Sequence, residues 1–195
     1  MLTMFSPHAA PISVDELLQR LRRVTRQREF AHGLLPAQWE ALRYLARANT
    51  MSRTPGALAT FLGTTRGTIS QTLTALESKG CIARVRTERD RRIVRLEVRE
   101  SGHALLAQDP QLMIRHAVDD LPREMSGIMA RGLKALVERL DRKAVHSFGM
   151  CRSCHHFGDG GPGSAQRRCR LTGEAITAAD MERICVSHKP ARAPA

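Results

Sequence analysis

Residues 54–99 constrain this chain more than any other stretch, because two glycine-stopped helical segments run straight into an alternating, arginine-rich hairpin. Thr54 can cap a helix N-terminus with its hydroxyl, and Pro55 suits the first helical position, where the N–H it lacks would be unpaired anyway. Leu58, Phe61 and Leu62 supply an apolar face, and Gly63 ends the segment as a C′ glycine does. Thr64 or Thr65 restarts the helix, with Ile69, Leu73 and Leu76 at helical spacing up to Gly80. Two short helices joined at a glycine make a helix-turn-helix, in which the first residues of the second helix face base edges. Here those are Thr65, Arg66, Thr68, Ser70 and Gln71, all short polar or cationic. Beyond Gly80 the period becomes two, with Ile82, Arg84 and Arg86 outward and Val94, Leu96 and Val98 back, which predicts a β-hairpin with its tip at 87–92. From Arg84 to Arg99 there are seven arginines against three acidic residues. A basic hairpin beside a recognition helix is a winged helix-turn-helix, although such arginines can also form a plain solvated face.

Charge supports a nucleic-acid partner. The chain of 195 residues carries a formal charge of +12, which points to an anionic partner, nucleic acid before membrane surface. Aromatic residues make up only 4%, so the core must be built from Leu, Ile, Val, Ala and Met. No run of about 18 apolar residues occurs, so no membrane span is expected. No basic stretch followed by a long apolar run opens the chain. A cytoplasmic location is therefore expected, with the five cysteines starting out reduced.

The run LESKGCIARVRTERDRRIVRLEVRESGHALL resembles the wing region of the MarR family of bacterial transcription regulators. Asp90 and Arg92 match the family's Asp-x-Arg step, and Ser101-Gly102 matches the opening of the helix after the wing. ALATFLGTTRGTISQTLTALESKG is similar to the preceding helix pair, and the likeness reaches from Leu34 to about residue 145. The resemblance implies a dimer on pseudo-palindromic duplex DNA, often responsive to a small-molecule effector or to thiol oxidation. It adds Asp90 to the DNA-contact set of Thr65, Arg66, Thr68, Ser70, Gln71, Arg86, Arg89, Arg91 and Arg92. A cysteine-rich tail beyond residue 148 departs from ordinary members.

Around this unit the pattern is helical. Residues 1–12 read as a flexible arm. Ser13 and Glu16 form a capping box, and the helix it opens carries Leu17, Leu18, Leu21 and Val24 to about His32. Pro36 opens a helix anchored by Trp39, and Asn49 to Arg53 is a loop into the helix-turn-helix. Cys81, just after Gly80, reads as a buried small apolar residue. A long helix from Ser101 is expected to kink at Pro110. Pro122 opens another, with Met125, Ile128, Met129, Leu133, Leu136, Val137 and Leu140, more apolar positions than one chain needs. The first and last helices are assigned to a homodimer interface.

The tail from 149 to 190 carries Cys151, Cys154, Cys169 and Cys185, spaced C-x2-C-x14-C-x15-C. Four cysteines in a reduced compartment suggest metal more than disulfides, and two sulfurs two residues apart can reach one tetrahedral ion. The ligands would be Cys151, Cys154, Cys169 and either Cys185 or His188. Zinc, the simpler site, is preferred to an iron–sulfur cluster, whose spacings vary. C-x-x-C-H haem attachment, a thioredoxin-like dithiol and reduced cysteines packing a small hairpin are the other readings. Placed just after the last long helix, the tail is expected to be held against that helix. Thr177 caps a short helix, and 191–195 is a tail.

The expected architecture is mainly α with a small β-hairpin wing. A winged-helix DNA-binding and dimerisation domain spans 13–148, followed by a small Cys/His-rich module at 149–190. The expected function is a non-enzymatic, sequence-specific transcription regulator that needs no cofactor to bind DNA. Metal, cluster or thiol state would control it. The alternatives are a metal- or cluster-binding enzyme or electron carrier on a basic helical scaffold, and a non-specific nucleic-acid-binding protein.

Overall fold

The computed structural model describes residues 12–86, 93–141, 148–158 and 167–191. In chain order they form α1 (Val14–Arg28), α2 (Pro36–Arg47), α3 (Pro55–Leu62), α4 (Arg66–Ser78), β1 (Ile82–Arg86), β2 (Val94–Val98), α5 (Glu100–Leu106), α6 (Leu112–Asp119) and α7 (Arg123–Asp141). After these come β3 (Gly149–Met150), β4 (Phe157–Gly158), β5 (Arg168–Cys169), α8 (Ala178–Met181) and β6 (Ile184–Cys185). The fold is mainly helical with a small β-hairpin, the winged-helix architecture read from the sequence.

The core sits inside the winged helix. Trp39, Leu42 and Leu45 of α2 are fully buried with Leu58 of α3, and Ile69, Leu73 and Leu76 of α4 close the same cluster. Ile82 and Leu96, on opposite strands of the wing, point into it. Each such side chain contributes about 1.5–3 kcal/mol of transfer free energy. The caps follow the sequence: Thr54 accepts the N–H of Ala57, and Gly63 adopts φ 60°, a left-handed conformation that favours glycine. Gly102 matters for a different reason. A β-carbon there would run into the carbonyl of Cys81 and a methyl of Val98, so only glycine lets α5 lie on the base of the wing. Cys81 is buried in that cluster.

Two helix boundaries differ from the expectation. α1 stops at Arg28 rather than near His32, with Glu29 as its C-cap; the Glu29 carboxylate is taken by Arg43 at 2.8 Å. The helix after the wing is broken into α5 and α6 rather than kinked at Pro110. Proline removes a helical donor there, and the neighbouring Asp109 carboxylate accepts two hydrogen bonds from Arg43 at 2.7 Å and the N–H of Gln111 at 2.8 Å. Arg43 of α2 thus ties the end of α1 to the break between α5 and α6.

The flanking helices stand in contrast to the core. α1 and α6 contain no buried residue. Leu17, Leu21 and Val24 on α1 and Met125, Ile128, Leu133, Val137 and Leu140 on α7 are all exposed. Among the described residues no helix is long and apolar enough to cross a membrane.

The cysteine-bearing segment is built from two short antiparallel strand pairs. β3 pairs with β6 (Gly149↔Cys185) and β4 with β5 (Phe157↔Cys169), both antiparallel. The contacts that fix it among the described residues run to the winged helix, where chain order suggests α7. Ala48 bridges Ile184, Ile184 and Val186 pack on the main core, and Phe148 meets Phe61 of α3 edge-on at 4.9 Å. The reason is visible in the loop between α2 and α3, whose backbone groups find their partners in the tail.

Candidate DNA interface and cysteine cavity

α4 has one face committed to the core and one left over. Ile69, Leu73 and Leu76 are buried, and Thr65, Arg66, Thr68, Ser70 and Gln71 are all exposed. Thr65 is the N-cap: its hydroxyl accepts the N–H of Thr68 at 3.2 Å and lies 3.0 Å from the Thr68 hydroxyl. These two threonines therefore help to start the helix, while Arg66, Ser70 and Gln71 lie on the outer surface.

The wing pairs from Ile82↔Val98 to Arg86↔Val94. Its arginines do different work, which the sequence pattern did not separate. Arg84 donates to Glu77 of α4 at 2.6 Å and to Thr74 at 3.4 Å, stitching the wing to the recognition helix. Arg95 donates to the Thr50 carbonyl at 2.7 Å and to both carboxylate oxygens of Glu174 at 2.7 and 2.8 Å. Arg86 is exposed near the tip. Arg89, Asp90, Arg91 and Arg92 lie outside the described residues.

All four tail cysteines line one cavity of about 60 Å³ beside Met51 and Ser52 of the loop. Cys151, Cys169 and Cys185 are buried and Cys154 is half-buried. They come from three segments, the turn 151–153 with its following residue, β5 and β6. Met51, Phe157 and Ile176 supply apolar wall and His156, near the cysteines in sequence but not among the expected ligands, a further donor. His188 stands apart from that lining: Ser153 Oγ lies 3.1 Å from its Nε2, and its ring covers Gly149, where a β-carbon would be 2.6 Å away. Among the described residues, no group of three or more His, Cys, Asp and Glu is arranged to hold a metal ion.

Electrostatics around the cavity are uneven. A hydrogen bond with Cys185, together with burial, pushes the Cys151 thiol up. The same hydrogen bond pulls Cys185 towards the thiolate against its burial, helped by the Ser187 N–H, Asn49 and Ser52. Asn49 is fully buried between the two halves. Its Nδ2 donates to Cys151 Sγ at 3.4 Å, its Oδ1 accepts the N–H of Ser52 at 2.9 Å, and its own N–H donates to the Ile184 carbonyl at 2.9 Å. Asp180 is buried too, and burial alone would raise its pKa. Donors from Thr50 and Thr177 hold the carboxyl below its ordinary range instead.

Comparison with known proteins bears on the winged helix. The model of the MarR family matches residues 32–93. Among solved structures, Streptococcus pneumoniae FabT in complex with DNA is 25% identical with a TM-score of 0.56, covering 66% of this chain and 96% of that one. A MarR family protein from Bacillus stearothermophilus is 22% identical with a TM-score of 0.55, covering 65% and 92%. The S. aureus MepR–DNA complex is 21% identical with a TM-score of 0.52, covering 66% and 96%. At those identities the latter two speak for the fold alone, and each alignment leaves about a third of this chain uncovered. No curated protein matches the chain.

Proposed function

We propose, from the premise that the middle of this chain is a MarR-family winged helix, that it is a transcription regulator binding specific duplex sites as a homodimer. The observation that carries this reading is the division of α4. Its apolar face is sealed in the core, and Arg66, Ser70 and Gln71 stand exposed on its outer face beside a basic wing. In this reading α4 enters the major groove. Arg66 can address guanine and Gln71 adenine through paired hydrogen bonds, with Ser70 and Thr68 beside them. Thr65 presents the helix start. Arg86 approaches phosphates or the adjacent minor groove, where negative potential is enhanced, and the same DNA contact is assigned from the sequence to Arg89, Asp90, Arg91 and Arg92. FabT and MepR are each described in complex with DNA.

The exposed apolar stripes of α1 and α7 are assigned to a second copy, which would set two recognition helices about 34 Å apart on successive major-groove faces. Control is assigned to the C-terminal cysteines, through bound zinc, an iron–sulfur cluster or their thiol state, and to a small-molecule effector. Selecting genomic fragments with the purified chain tests the main reading. Enrichment of an inverted repeat supports it; equal recovery of all duplexes would make the protein a non-specific basic binder.

A further inference from the structure

We propose that Cys151, Cys154, Cys169 and Cys185 hold one thiolate-bound metal centre that braces the loop feeding the helix-turn-helix, so that loading the centre alters how α4 and the wing are presented to DNA. The inference rests on the DNA-binding reading above and concerns how that activity is regulated. Three segments far apart in sequence bring four cysteines to one cavity with an apolar wall, whereas a merely structural packing role asks only for small apolar side chains. Thiolates select zinc or iron–sulfur over hard oxygen-loving cations, and both belong to this one chemistry. Among the described residues no group of three is yet arranged for an ion, so loading must draw the sulfurs together and release their protons.

What makes the site regulatory is its neighbour. Asn49 holds Cys151 Sγ with one end of its amide and caps the turn Thr50–Ser52 with the other. A sulfur that moves therefore moves the turn. The Ser52 hydroxyl accepts the N–H of Val186 at 3.1 Å, and its carbonyl accepts the Tyr44 hydroxyl at 2.8 Å. Two residues on, Thr54 caps α3. A second strap leaves from the same turn: Arg95, on the returning strand of the wing, joins the Thr50 carbonyl to Glu174 of the tail. Donors that orient first-ligand atoms tune a metal site; here one of those donors also belongs to the DNA-binding half.

The test uses the full chain, stripped and reduced, loaded with zinc alone, or reconstituted anaerobically with ferrous iron and sulfide. Metal analysis and the visible spectrum identify which arm loads, and anisotropy measures affinity for a duplex the chain has selected. Amide exchange reports on Asn49, Ser52 and Leu96. One centre per chain is expected, lost in Cys151→Ser and in the less buried Cys154→Ser. Affinity should change by roughly 5- to 150-fold between loaded and stripped forms, with altered exchange at those three amides. Glu174→Gln lies outside the cavity and should load normally while shrinking that affinity difference. Failure of both arms to load, or a Cys151–Cys185 disulfide in their place, overturns the centre. Loading with unchanged affinity and unchanged exchange overturns the brace. If no form binds duplex yet loading still slows exchange at Asn49 and Ser52, the brace stands and the DNA-binding reading is what fails.

Discussion

α2 buries six of its twelve residues, while α1, at fifteen residues, buries none. Both carry apolar side chains at helical spacing, so sequence pattern alone does not distinguish them. The difference is what stands opposite. α2 faces α3, α4 and the wing of its own chain, whereas among the described residues the apolar stripes of α1 and α7 are left exposed. The same amphipathic chemistry therefore builds a self-contained core in one place and an open surface in the other. An open surface of that kind is a statement about association, since leucines left in water forgo the transfer energy that motivates an amphipathic helix.

The comparison can be broken most forcefully at matched leucines. Leu42→Ala, in the closed core, should lower unfolding free energy by about 2–5 kcal/mol, read by denaturant melts. Leu21→Ala on α1 should change the melt of a dilute sample by less than about 0.5 kcal/mol and weaken self-association instead. Equal destabilisation by the two would mean that α1 is not an open surface. Leu133→Asp sharpens the same point, because a carboxylate in a dry interface is heavily penalised. Sedimentation should show a monomer with DNA binding lost, and a dimer with unaltered binding would contradict the assignment.

A smaller effect is expected where the tail meets the winged helix. The Asp180 carboxylate accepts the Thr50 N–H at 2.8 Å and the Thr50 hydroxyl at 2.9 Å, and the Thr177 hydroxyl at 2.7 Å. Its folded-state pKa lies below the unfolded value, so its contribution is present above about pH 4 and lost as pH falls further. Exchange of the Thr50 amide should accelerate through that acid window in the native chain. Asp180→Asn should cost about 1–3 kcal/mol and flatten the pH dependence. At the reading face the effect falls on binding and not on the fold. Arg66→Ala should leave the fold untouched, cost about 1–3 kcal/mol in binding and relax the preference at one base.

Much of this molecule was legible in its residues, and the limits have physical causes. The caps at Ser13, Thr54 and Thr65 and the stop at Gly63 are local chemistry, so they can be read from a few neighbours. The role of Arg95 could not, because its partner Glu174 lies 79 residues away and nothing in a hairpin pattern marks one arginine as structural. The break at Pro110 was underestimated for a similar reason: Arg43 draws Asp109 out of any continuing helix. Chain order suggested that the cysteines would sit by α7. Instead the unpaired backbone groups around Asn49 decided where the tail docks, and such groups have no signature in sequence.

If the outer face of α4 reads a duplex site, binding of one selected duplex must differ from binding of its scrambled counterpart. Titrated at several salt concentrations, the native chain should prefer the selected site by about a thousandfold or more, and affinity for both duplexes should fall as salt displaces phosphate contacts. Equal affinity for the two sequences, however tight and however salt-dependent, would contradict it.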